Sequence, residues 1–257
     1  MTPVEQALSA DEQKTARAAR QVALSQIGED GQTRIESGTA LLIGLGGIGC
    51  AAATYLTSSG VGHLLLCDFD TVDATNLGRQ TLYGPNDIGA SKAQRAASRL
   101  AAMNPDVRLT EIPERLSDDA LMEAVSQADV VLDGCDNFAT RFQVNEACVA
   151  NGRMLVSGAA IRFEGQHAVF GPDYRRSPCY RCLYAEADES LEDCAGNGVL
   201  GPVPGVIGTM MAVEALKSLA GLPSDTGALS LYDAISGDWR KIVVRKKKKC
   251  VVCSVRH

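Results

Sequence analysis

Short apolar runs alternate along the chain with longer amphipathic ones. "TALLIG" (39–44), "GHLLLCD" (62–68) and "DVVLDGCDN" (129–137) are nearly unbroken apolar stretches that end on glycine, acid or amide. That is the pattern of strands buried on both faces. Helical patterns separate them: "GIGCAAATYLTSSG" (47–60), "SKAQRAASRLAAMN" (91–104, stopped by Pro105) and "DDALMEAVSQA" (118–128). "VRLTEIP" (107–113) adds a third strand; "RFQVNEACVANG" (141–152) is a helix followed by the strands "RMLVSGAA" and "GQHAVFG". Residues 3–29 read as one polar helix. This alternation predicts an α/β fold, a Rossmann-like, mostly parallel sheet with flanking helices. Toward the C terminus the pattern changes. Residues 176–198 read as an irregular excursion, "GPVPGVIG" (201–208) as a turn and "TMMAVEALKSLAG" (209–221) as a helix. "GALSLYD" and "WRKIVVR" form a closing C-terminal strand region.

Charge and cysteine content narrow the class. Acidic residues outnumber basic ones, 31 to 25, for a net charge of −6. That excess argues against a nucleic-acid partner. No apolar run reaches the roughly 18 residues of a membrane span, and "MTPVEQALSADEQ" lacks the apolar core of a signal peptide. The expectation is a cytoplasmic protein with neither nucleic acid nor membrane as partner. Disulfides are disfavoured in that compartment, so the nine cysteines point to metal or thiol chemistry.

"GLGGIG" (44–49) follows the first strand and opens a helix. Gly44, Gly46, Gly47 and Gly49 let a phosphate approach the free N–H groups and positive dipole end of that helix. Asp68 ends the next strand, about 20 residues on, where a carboxylate meets ribose hydroxyls. The loop and the acid suit NAD and ATP equally. The segment after them favours ATP: Asp70, Asn76, Arg79, Gln80 and Lys92 follow within 25 residues of Asp68. A triphosphate needs several such groups, usually with Mg²⁺. Asp136, at the end of the fourth strand, suits a Mg²⁺ ligand; its other reading is a helix N-cap, a role Asn137 fills equally well. Two CxxC pairs, Cys179/Cys182 and Cys250/Cys253, suit tetrahedral Zn²⁺. The 67 residues between them leave a redox pair or unrelated thiols open.

Together "RAARQ" (17–21), "GLGGIG", "DFDTVDATNLGRQ", "GASK", "DGCDN", "CYRC", "GPVPGVIGTMMAVEALK" and "CVVC" resemble the motifs of the ubiquitin-activating superfamily, in its bacterial MoeB/ThiF/HesA branch. The resemblance spans residues 14–253 and implies a single adenylyltransferase domain over 1–257, with a nucleotide-binding core over about 14–172 and a zinc- and carrier-binding region over about 173–257. The implied reaction joins ATP to the C-terminal glycine of a small ubiquitin-like sulfur carrier protein ending in Gly-Gly. It yields an acyl-adenylate and pyrophosphate, for molybdopterin, thiamine or related biosynthesis. A terminal carboxylate, with a pKa near ~3.5, needs no general base, in keeping with a sequence whose histidines are only His63, His167 and His257.

By the same resemblance Asp68 binds ribose, Arg79 and Lys92 bind phosphates, Asp136 holds Mg²⁺, and the four paired cysteines hold a structural Zn²⁺ that ties the tail to the excursion. Arg20 corresponds to an arginine that reaches the partner subunit's ATP site, implying a homodimer; without the resemblance it reads as exposed helix surface. Cys194 corresponds to the family cysteine that forms a thioester or acyl-disulfide, and an inert loop thiol is its other reading. Cys135 stands where relatives often have threonine, and "CAGNGV" also departs from the pattern. "SGAAIRFEGQ" resembles the molybdopterin type and "GPVPGVIGT" the thiamine type. Lys246–Lys249 read as a solvated linker or as electrostatic help in docking an acidic carrier. The chain stops after "CVVC", so sulfur is expected from a separate donor protein. Two rival readings are an NAD-dependent oxidoreductase and a non-catalytic carrier-binding adaptor.

Overall fold

The computed structural model describes residues 9–184 and 198–254. Cys194 therefore lies outside the described residues. One eight-stranded sheet runs through the molecule in the order β3-β2-β1-β4-β5-β6-β7-β8. Its strands are β1 (Thr39–Ile43), β2 (His63–Cys67), β3 (Arg108–Ile112), β4 (Val130–Asp133), β5 (Met154–Ile161), β6 (Glu164–Phe170), β7 (Ala228–Asp233) and β8 (Asp238–Val243). The first five pair in parallel and the last three add on antiparallel. The expected mostly parallel α/β sheet is thus present.

The central strands are the apolar runs of the sequence, and the pleat splits them between two cores. Ala40, Leu42, Leu64, Leu66, Val130 and Leu132 face one cluster. Leu41, Ile43, Leu65, Cys67 and Val131 face the other. The first cluster is covered by α3 (Gly47–Ser58), α4 (Lys92–Met103) and α8 (Pro202–Leu219). The second is covered by α5 (Asp118–Gln127), α6 (Phe138–Asn151), the short α7 (Tyr180–Leu183) and the cysteine lobe. Each fully buried leucine contributes roughly 1.5–3 kcal/mol. After β1 the chain visits β2 and β3 on one side, then crosses to β4 on the other. The carboxyl ends of β1 and β4 therefore flank a topological switch point, where open sheets bind ligands.

Three expectations are corrected. The stretch 3–29 is not one helix: α1 covers Ala10–Val22 and α2 covers Gly28–Ser37. A capping box between Ser9 and Glu12 starts α1, and Gly28 opens α2 at φ +56°. "GPVPGVIG" is not a turn but the start of α8, because Pro202 sits at the first helical position, where a missing N–H costs nothing. Helix α6 begins at Phe138, three residues before the expected start. Among the described residues no helix is long and apolar enough to cross a membrane.

Candidate functional site

At the switch point a cavity of about 850 Å³ opens. Gly44, Gly46, Gly47, Asp68, Asp70, Asn76, Arg79, Gln80, Lys92 and Asp136 all line it. Every candidate nucleotide ligand except Gly49 is thus at one surface. Gly49 serves the loop differently: a Cβ there would lie 1.9 Å from the Gly44 carbonyl oxygen. Gly44 turns at φ +88°, a region that glycine enters without strain. The N-cap of α3, Gly46, supplies no side chain to the first-turn N–H groups, so they remain available to an anion.

Asp68 is buried and holds the loop in place. Its Oδ2 accepts from Leu45 N at 2.7 Å and its Oδ1 from Asp70 N at 2.9 Å. Burial pushes its carboxyl pKa up despite the nearby Lys92 ammonium. The Tyr83 hydroxyl donates to the Leu45 carbonyl at 3.0 Å and braces the loop from below. Lys92 opens α4; its side chain is buried and its Nζ sits 3.0 Å from Asp70 Oδ2. Arg79 is half-buried and donates to the Thr75 carbonyl at 3.0 Å. Gln80 is buried, with its Oε1 lacking a hydrogen-bond partner.

The turn after β4 separates two adjacent roles. Asn137 is the N-cap of α6, accepting from Thr140 N at 2.9 Å. Asp136 is left exposed on the cavity wall, where its carboxylate suits a hard cation.

Behind Asp136 lies a buried network that the sequence reading missed. The Asp133 side chain is fully buried; its Oδ1 accepts from Cys135 Sγ at 2.7 Å and its Oδ2 from Ser157 Oγ at 3.3 Å. Arg141, also buried, donates to the carbonyls of Cys135 and Gly158, linking this turn to β5. Burial, reinforced by Asp133, pushes the Cys135 thiol well up. In this arrangement the Cys135 thiol serves as a hydrogen-bond donor to Asp133. Its signal in the sequence was Asp133 itself, an acid inside an apolar strand.

Two further wall features were missed. Arg115 lies over the Phe69 ring, 4.3 Å from its centroid, beside Asp68. On the other side the cavity runs on past Gln166, Tyr232, Asp233 and Arg240 of the antiparallel strands and past Tyr184 at the end of α7. Neither His63 nor His167 lines it. Arg20 is exposed near the end of α1 and lines no part of this chain's cavity.

The four paired cysteines meet on the second core. Their sulfur atoms all lie within 4.8 Å of one another. Cys179 Sγ is 3.6 Å from Cys250 Sγ, and Cys182 Sγ is 3.6 Å from Cys253 Sγ. All four are buried. A disulfide needs about 2.05 Å, whereas four sulfurs at about 2.3 Å from one zinc ion lie slightly under 4 Å apart. The donor set and its spacing fit a closed tetrathiolate metal site with no open position for catalysis.

Known proteins place this arrangement in context. The ThiF family profile matches residues 18–254. The chain is 44% identical over 237 residues to the sulfur carrier protein ThiS adenylyltransferase of Escherichia coli, covering 92% of this chain and 94% of that protein. It is 42% identical over 244 residues to the molybdopterin-synthase adenylyltransferase of the same organism, covering 94% and 97%. Against the mouse adenylyltransferase and sulfurtransferase MOCS3 the identity is 45% over 251 residues, but the chain spans only 54% of that protein. Among solved structures, E. coli MccB with ATP has the same fold at TM-score 0.76 and 21% identity, covering 88% of this chain and 70% of that one. With the profile matched over almost its whole length, and the glycine loop, cavity and cysteine cluster all assembled in one fold, the chain belongs to the ThiF family.

Proposed function

We propose that this protein uses ATP to adenylylate the C-terminal carboxylate of a small ubiquitin-like sulfur carrier protein ending in Gly-Gly. The observation that carries the reading is the shared cavity. It gathers the glycine loop, Asp68, Arg79, Lys92 and Asp136 at one end and continues along the antiparallel strands at the other. A nucleotide and an extended peptide tail need such a continuous lane.

In the proposed reaction a carrier carboxylate oxygen attacks the α-phosphorus of ATP, and pyrophosphate leaves. The carboxylate is already ionised near neutral pH, so the protein supplies alignment and charge neutralisation rather than a base. Asp68 accepts ribose hydroxyls, and the first-turn N–H groups of α3 face phosphate oxygens. Arg79 and Lys92 neutralise the polyphosphate; Lys92 exchanges Asp70 for phosphate on binding. Asn76 and Gln80 complete the polar wall. Asp136 would hold Mg²⁺, which when bound supplies positive charge beside the phosphates. Arg20 is assigned to the partner's site in a homodimer. Cys194 is assigned to a later step, in which its sulfur takes the acyl group and releases AMP; a Cys194→Ala chain is then expected to form no thiol-labile carrier conjugate. The proposed setting is the cytoplasm, with sulfur from a separate donor protein.

The test is ATP–pyrophosphate exchange with Mg²⁺ and a panel of Gly-Gly carriers. Exchange that requires one carrier is expected, and it names the pathway. Carrier binding without exchange would support an adaptor. A melting temperature raised by NAD and not by ATP would support an oxidoreductase.

A further inference from the structure

The basic run before the last cysteine pair is not uniform. Lys247, Lys248 and Lys249 are exposed, whereas Lys246 turns inward. Its Nζ donates to the Tyr174 carbonyl at 2.6 Å, to the Cys253 carbonyl at 3.0 Å and to Cys253 Sγ at 2.9 Å. Three acceptors match the three N–H groups of an ammonium. The next residue reaches the other pair, with Lys247 N donating to Cys182 Sγ at 3.4 Å. One sulfur of each CxxC pair therefore receives an N–H from this segment.

We infer that Lys246 is a positioning residue of the cysteine metal site. Four thiolates around a divalent cation leave an excess of negative charge, which is costly away from water. An ammonium donating directly to a ligand sulfur offsets that charge. It also orients the ligand, as outer-shell partners of metal sites do. The same ammonium joins the segment before the first pair, through Tyr174, to the second pair, through Cys253. The inference rests on reading the four-cysteine cluster as a zinc site.

The experiment measures zinc content of the full chain and its rate of transfer to a colorimetric chelator. Lys246→Met is expected to release zinc about 10–100-fold faster than wild type. Lys246→Arg, which keeps the charge and an N–H donor, is expected to lie between the two, and Lys248→Met to match wild type. Wild-type release by Lys246→Met would overturn the inference, as would equally fast release by Lys248→Met. Should Lys246→Met not fold, Lys246→Gln takes its place under the same criterion. Wild-type protein without stoichiometric zinc would overturn the metal reading itself, an outcome distinct from failure of the lysine's role.

Discussion

In the cavity, Asp68 is fixed by two main-chain N–H groups and the glycine loop by the Tyr83 hydroxyl. In the cysteine lobe, four side chains converge from two segments 67 residues apart. The regular structure at that point is α7, four residues long. The first region takes its shape from strand ends that a continuous sheet already holds. The second takes its shape from whatever joins its sulfurs. A defect in the cavity should therefore alter chemistry with little loss of fold, and a defect in the lobe should alter fold first.

The largest expected effect is on the cavity side. Asp136→Ala should lower carrier-dependent exchange by roughly 10²–10³-fold, the scale of losing one electrostatic partner in a phosphoryl-transfer site, with an unchanged melting temperature. A parallel loss of melting temperature would break the contrast. Next comes the lobe. Cys179→Ser should lose bound zinc and lower the melting temperature by roughly 5–10 °C, equivalent to a few kcal/mol in a chain of this size; retention of stoichiometric zinc would remove the metal assignment. Arg20→Ala should lower kcat by on the order of tenfold, as for one charge-assisted contact of about 1.5 kcal/mol, while sedimentation of the proposed homodimer is unchanged. A silent Arg20→Ala would end the shared-site proposal. The smallest effect sharpens the comparison within one turn: Asn137→Ala should cost about 1 kcal/mol, the value of a helix cap. It should leave far more exchange activity than Asp136→Ala, although the two residues are neighbours.

The parallel half was legible because its central strands β1, β2 and β4 are apolar on both faces and its loop glycines have a mechanical reason to be glycine. The gathering of the polar candidates on one cavity wall was legible for the same reason in reverse, since charged groups follow the strand ends. Asp136 and Asn137 were not separable in sequence; both side chains cap helices, and only the backbone shows that Asn137 does so. Asp133 left one sign, an acid within an apolar strand, whereas Arg141 left none, because a buried side chain bonded to main-chain carbonyls leaves no periodic trace. The start of α8 was misread because Pro202 and Gly205 signal a turn locally, while packing against α3 overrides that preference. Gln166, Tyr232, Asp233 and Arg240 on the far wall of the cavity were missed because they come from antiparallel strands with no motif of their own. Lys246 looked like its exposed neighbours; its inward path depends on Tyr174, more than 70 residues earlier.

Cys179 and Cys250 are 71 positions apart, and everything between them, including α8, β7 and β8, belongs to one chain loop. A metal bound across those sulfurs in the folded chain adds its binding free energy to the stability of the fold and holds together the two ends of that loop. Tyr232, Asp233 and Arg240, on the cavity wall, lie inside it. Supply of the metal those cysteines would hold would thereby set how often that wall opens, although none of the four lines the cavity.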